Sequence, residues 1–216
     1  MEVDTYLAPA VPSANNSDSR RGLTLLARPD QSSAQAIYNA VQSLTDQLGE
    51  QYVQPVDDLH TTVLSVIPGS SEYTGHASIL PDCIRAAEAA VERTGYTFEI
   101  DYRGLIASSD SLLVKGYPST DALERLRDTI VQNLKELKLE DRFDRRYPMV
   151  AAHMTVCRFV QQPADLAQLD HALQNLKKHA FGSSVISQLE LVENDWYMRT
   201  ETLNRKRSFR LREKPD

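Results

Sequence analysis

Residues 59–67 read LHTTVLSVI and residues 149–160 read MVAAHMTVCRFV, and both contain one tripeptide pattern: His60-Thr61-Thr62 and His153-Met154-Thr155. Both stretches are rich in β-branched residues, and Pro68-Gly69 closes the first, so each is expected to be a strand. In a strand, residues i and i+2 point to one face. Each stretch therefore presents an imidazole and a hydroxyl on the same side.

The flanking segments repeat in order. Before the first histidine strand, residues 22–27 (GLTLLA) form a short apolar strand stopped by Pro29. Ala34, Ile37, Tyr38, Val41, Leu44 and Leu48 then recur at helical spacing up to Gly49. After it comes a helix with Pro81 near its first turn and Ile84, Ala87 and Val91 on its buried face, then a strand over 96–106 (YTFEIDYRGLI). The second half answers with a strand at Leu112-Leu113-Val114, a helix striped by Leu123, Leu126, Ile130, Leu134 and Leu137, and the second histidine strand. A helix opened by Pro163 follows, carrying Leu166, Leu169, Leu173 and Leu176, and residues 185–192 (VISQLELV) supply the strand that matches 96–106. Residues 196–211 supply edge strands.

Strand–helix–strand–helix–strand thus occurs twice, offset by about 90 residues. The order reads as an α+β fold of two lobes duplicated about a pseudo-twofold axis, with antiparallel sheets and outer helices around a central groove. One domain is expected over 22–216, its lobes at about 22–108 and 109–216, with closing strands free to cross between them. Residues 1–21 mix Pro, Ser, Asn and Asp without the apolar core of a signal peptide and are expected to be a flexible N-terminal tail.

Composition narrows the function. Of 216 residues, 41% are hydrophobic and 25% charged, enough for a globular core, and the net charge is −6. An extended nucleic-acid surface needs a basic stripe that this chain lacks, so a nucleotide or the end of a short oligonucleotide is the expected partner. No stretch reaches the roughly 18 apolar residues of a membrane span. Two cysteines without CxxC spacing point to a reducing, cytoplasmic setting, and a monomer is expected.

If the halves pack about their pseudo-axis, the two motifs converge. One neutral histidine can then accept a proton while a protonated one donates, which histidine's ordinary pKa permits near neutrality. The threonine hydroxyls can hold non-bridging phosphate oxygens. That is phosphodiester chemistry, with no metal and no cofactor expected: two histidines without Cys, Asp or Glu at ligand spacing fall short of a zinc site. His76-Ala77-Ser78 fits the tripeptide but follows a Pro-Gly turn outside any strand, and is set aside.

Tyr52 is placed to stack on a nucleobase or to pack beneath the strand. Residues 141–147 (DRFDRRY) carry Arg146 and Tyr147, which would contact a phosphate or base if that loop covers the groove and would otherwise be solvated. By alternation Cys157 shares a face with His153 and Thr155. Trp196 and Tyr197 are expected to pack against the sheet.

These motifs resemble the 2H phosphoesterase superfamily, especially its branch of 2′-5′ RNA ligases and cyclic phosphodiesterases. Residues 51–69 (QYVQPVDDLHTTVLSVIPG) are similar to that family's first-motif segment, 153–159 (HMTVCRF) to its second, and 189–211 to its closing strands, a likeness over about 22–211. The resemblance implies His60 and His153 as catalytic residues and Thr62 and Thr155 as phosphate ligands. It implies metal-independent hydrolysis of a 2′,3′-cyclic phosphate, a cyclic nucleotide or a 2′-5′ linkage. Val63 and Val156 stand where the branch often has leucine. Arg158 matches an arginine many members carry, yet three residues past Thr155 strict alternation aims it away unless a bulge turns it back. The alternatives are a module that binds and sequesters a nucleotide, or a ligase running the cyclic-phosphate reaction in reverse.

Overall fold

A computed structural model describes residues 19–71, 76–139 and 152–213. Its strands are β1 (Arg21–Ala27), β2 (Tyr52–Val53), β3 (Thr61–Ser70), β4 (Phe98–Ala107), β5 (Ser111–Pro118), β6 (Ala152–Arg158), β7 (Ala180–Ile186), β8 (Gln188–Asp195) and β9 (Asn204–Arg210). The helices are α1 (Gln31–Gln42), α2 (Thr45–Leu48), α3 (Leu80–Thr94), α4 (Ala122–Glu136) and α5 (Leu166–Leu176). Most of the expected tail lies outside the described residues, but β1 already takes in Arg21.

The strands form two antiparallel sheets, one ordered β3-β1-β8-β9 and the other β2-β6-β5-β4-β7. Counted from each histidine strand, β3-β1-β8-β9 in one sheet answers β6-β5-β4-β7 in the other. This is an α+β fold with a duplicated, pseudo-twofold arrangement. The duplication is swapped: β4, from the first half of the chain, completes the second half's sheet, and β8 and β9 complete the first half's.

One expected element divides. Residues 185–192 do not form a single strand, because β7 ends at Ile186 in one sheet and β8 begins at Gln188 in the other. Between them the Ser187 carbonyl accepts from Leu211 N, so the backbone is satisfied where the chain changes sheets. Similarly, β3 runs past Pro68 to Ser70 rather than stopping there. Among the described residues it lies at the edge of its sheet, where a missing N–H can face outward.

The helices follow their apolar spacing. Asp30 caps α1 by accepting from Ser33 N, and Ala34, Ile37 and Val41 are buried. The helical run to Leu48 breaks near Ser43, and α2 ends at Gly49, whose φ of 67° favours glycine. Pro81 lies in the first turn of α3, which buries Ala86, Ala87 and Ala90, small residues that let it lie close to α4. Asp165 caps α5. α1 contacts β6 and β7, whereas α4 contacts β3, so each half's first helix covers the other half's histidine strand. No helix among the described residues is long and apolar enough to cross a membrane.

Candidate functional site

The register around each histidine is duplicated. Thr62 pairs with Leu26 and Leu64 with Leu25, leaving Val63 as an extra residue; Thr155 pairs with Leu113 and Cys157 with Leu112, leaving Val156 extra. The same β-bulge therefore follows both threonines. A bulge sends two consecutive side chains toward one face and resets the alternation behind it. Val63 and Leu64 are both buried, as are Val156 and Cys157, and the half-buried residues on the far side are Ser65 and Arg158.

The bulge settles two expectations. Cys157 does not line the groove: it is fully buried in the core beside Val156, its thiol pushed up to about 12 by burial. Arg158 returns to the half-buried face shared by Thr155. Its partners in register are Ser111 and Tyr52, and its guanidinium lies 5.1 Å from the Trp196 ring. Its Nε is buried without a hydrogen-bond partner. Burial lowers its pKa despite Asp110, and no described carboxylate lies within ion-pair distance. A half-buried guanidinium with no ion-pair partner among the described residues is suited to hold an anion.

His60 stands just ahead of β3, 7% exposed, its Nδ1 2.7 Å from the Asp58 carbonyl oxygen. A carbonyl can only accept, so Nδ1 carries the proton and Nε2 holds a free lone pair. Burial is the main cause that lowers its pKa to about 4, with further lowering from Arg28 and Arg158. Asp58 is anchored in turn, its carboxylate accepting from Thr200 N at 2.8 Å, and Arg28 donates to the Asp57 and Leu59 carbonyls. Thr61 turns inward to Tyr102, its hydroxyl 3.0 Å from the phenol oxygen, which leaves Thr62 on the opposite, half-buried face.

His153 is exposed, Met154 fully buried and Thr155 half-buried, so the second motif alternates as the first does. Its surroundings lower the His153 pKa mainly by desolvation, and the charge of Arg127 lowers it further.

Two cross-couplings link the strands that carry the motifs. β3 and β6 touch across the two sheets. Arg158, on the second motif's strand, acts on His60, while Arg127 binds the Thr62 carbonyl and acts on His153.

The sequence matches no protein-family model and no curated protein. Solved structures do match. TT0787 of Thermus thermophilus superposes with a TM-score of 0.67 at 16% identity, covering 91% of this chain and 100% of that one. E. coli LigT complexed with 3′-AMP gives 0.61 at 10% identity, with 90% and 99% coverage. A protein described as a phosphoesterase gives 0.56 at 12%, with 89% and 99%. The chain has the 2H phosphoesterase fold.

Within the 2H fold the remaining expected residues fall as follows. Tyr52 is half-buried beside Arg158, its ring edge-on to the buried Tyr197 at 4.8 Å between centroids. It also borders a cavity of about 730 Å³ that neither histidine lines. Tyr197 is buried, as expected, whereas Trp196 is only half-buried and carries Arg20 over its ring at 4.0 Å as well as Arg158. Arg146 and Tyr147 lie outside the described residues. The backbone at His76–Ser78 forms a 3-10 turn rather than a strand. Among the described residues no three His, Cys, Asp or Glu side chains gather as a metal site would require.

Sequence reading missed three cations. Lys115 pairs directly with His153 in register, and Arg28 stands at the matching place beside His60, one residue past the Ala27–Thr61 pair. Equal offsets from the two bulges would have revealed them. Arg127 is hidden inside the leucine stripe of α4, and nothing in a helical pattern marks it.

Proposed function

We propose that the protein is a metal-independent phosphodiesterase of the 2H superfamily, acting on a 2′,3′-cyclic phosphate, a cyclic nucleotide or a 2′-5′ linkage through His60, Thr62, His153 and Thr155. The observation that carries this reading is the duplicated His-x-Thr-bulge register on two touching strands, with Arg158 of the second strand acting on the first histidine. A binding module has no use for two such proton-transfer groups.

In this reading His60 is the base. It is neutral at physiological pH, and its Nε2 lone pair takes the proton of the attacking water or hydroxyl. The new P–O bond forms as the bond to the leaving ribose oxygen breaks. His153 donates a proton to that oxygen. Although its pKa is lowered in the free protein, a bound phosphate's negative charge raises it again. Thr62 and Thr155 donate hydrogen bonds to the non-bridging oxygens, and Arg158 balances their charge. Tyr52 and its cavity offer a place for a nucleobase. E. coli LigT, which shares the fold, has been crystallised with 3′-AMP.

The test is a panel of 2′,3′-cyclic nucleotides, RNA ending in a cyclic phosphate, 2′-5′ oligoadenylates and cyclic dinucleotides, each incubated in EDTA with the products identified. Turnover of one class to a single phosphate isomer is expected. No turnover of any would overturn the reading, and joined rather than cleaved products would make the protein a ligase.

A further inference from the structure

Among the described residues the two halves hold the backbone behind their threonines in different ways. The bulge leaves the carbonyls around Val63 and Val156 turned out of the β1 and β5 ladders. In the second motif, β2 lies alongside, and Gln54 N donates to the Val156 carbonyl at 3.0 Å. Among the described residues no strand lies alongside the first motif in this way, and β3 ends the order of its sheet. There Arg127, 6% exposed, reaches from α4: its Nε donates to the Val63 carbonyl at 2.8 Å and its Nη2 to the Thr62 carbonyl at 2.9 Å. A planar guanidinium can span two successive carbonyls; an ammonium cannot do so with the same fixed geometry. The bulge of β3 is thus held by a side chain from the opposite half of the chain.

We propose that Arg127 is a positioning residue of the site, clamping the Thr62–Val63 backbone so that the Thr62 hydroxyl faces the bound phosphate, and placing its positive charge beside His153. The proposal rests on the phosphoesterase reading given above. Burial lowers the Arg127 pKa only to about 10, and the exposed Glu124 and Asp128 on the same helix oppose that lowering, so it stays cationic at physiological pH. Among the described residues, Lys115 lies opposite His153 on β5, Arg158 follows on its own strand β6, and β2 brings Tyr52. β3 carries no charged residue, and α1 carries Tyr38 and no charged side chain. Arg127 is the cation that lowers the His153 pKa alongside desolvation.

The experiment compares the full-length protein with Arg127→Met and Arg127→Lys by NMR titration of His153 and by steady-state kinetics on a cyclic nucleotide. Arg127→Met is expected to raise the His153 pKa and to lower kcat about tenfold or more, with KM moving less. Arg127→Lys keeps the charge but not the two-carbonyl clamp, so it leaves the His153 pKa near that of the unsubstituted protein while kcat still falls. A Met variant with both unchanged, or, if it does not fold, a Lys variant with undiminished kcat, overturns the proposal. Wild-type protein that turns over no substrate would instead sink the functional reading, and the His153 titration would still read the inference.

Discussion

Replacing His60 by Gln isolates what it takes to keep an imidazole neutral inside this fold. The ring is 7% exposed, donates from Nδ1 to the Asp58 carbonyl, and has Arg28 and Arg158 near enough to oppose protonation. Its pKa is about 4 in the folded protein against an ordinary 6.5. Because the folded value is depressed, the unfolded chain binds this proton between those two values and the native protein does not. Stability from this group is therefore complete above about pH 6.5 and is lost as the pH falls toward 4. At about 1.4 kcal/mol per pKa unit, the full loss is about 3 kcal/mol, and at pH 5 about 2 kcal/mol. Urea unfolding of wild-type protein and His60→Gln at several pH values measures it. Asp30 also has a lowered pKa and His153 titrates too, but both variants carry them, so they cancel in the difference. The wild-type minus variant stability should fall by about 3 kcal/mol from pH 7 to pH 4. A difference that stays flat across that range would show that His60 is neither buried nor held neutral as described, and would remove the basis for making it the base.

Other outcomes follow from the same geometry. The pH profile of kcat/KM should be bell-shaped and acidic, rising through the His60 pKa near 4 and falling with a His153 pKa below 6.5, while kcat extends to higher pH because bound phosphate raises His153. A free-enzyme optimum above pH 7 would contradict both shifts. Arg158→Met should weaken binding of inorganic phosphate, read by calorimetry, about tenfold or more, since a hydrogen bond to a charged group contributes about 1.5–3 kcal/mol. Unchanged phosphate affinity would mean that Arg158 does not face the anion. Cys157 should resist thiol reagents in the native protein, and Cys157→Ala should cost about 1–2 kcal/mol of stability with activity retained. Rapid labelling that blocks turnover would return Cys157 to the groove.

The parts of the fold that alternate or repeat in the sequence were readable there: both histidine strands, the helices of each half and their order. What escaped was set by pairing. A single extra residue at Val156 moved Cys157 into the core and Arg158 out of it, and period-two reading cannot register an insertion that only the partner strand reveals. Residues 185–192 are apolar throughout much of their length, so the change of sheet at Ser187 leaves no mark in their pattern. Arg127 is one cation among leucines, and its contact with the Thr62 and Val63 carbonyls is set by tertiary packing that a helical pattern does not carry. The two tripeptides were legible because the same pattern occurs twice, in elements that the sheets place equivalently.

The central claim is that His60 and His153 act together on one phosphate. It is tested most directly by ³¹P NMR of a 2′,3′-cyclic nucleotide incubated in EDTA with wild-type protein, His60→Ala and His153→Ala, each shown to be folded by circular dichroism. The account predicts that wild-type protein converts the cyclic phosphate to a single monophosphate isomer and that each variant loses at least about a hundredfold in rate. Two folded variants that open the ring at the wild-type rate would contradict it.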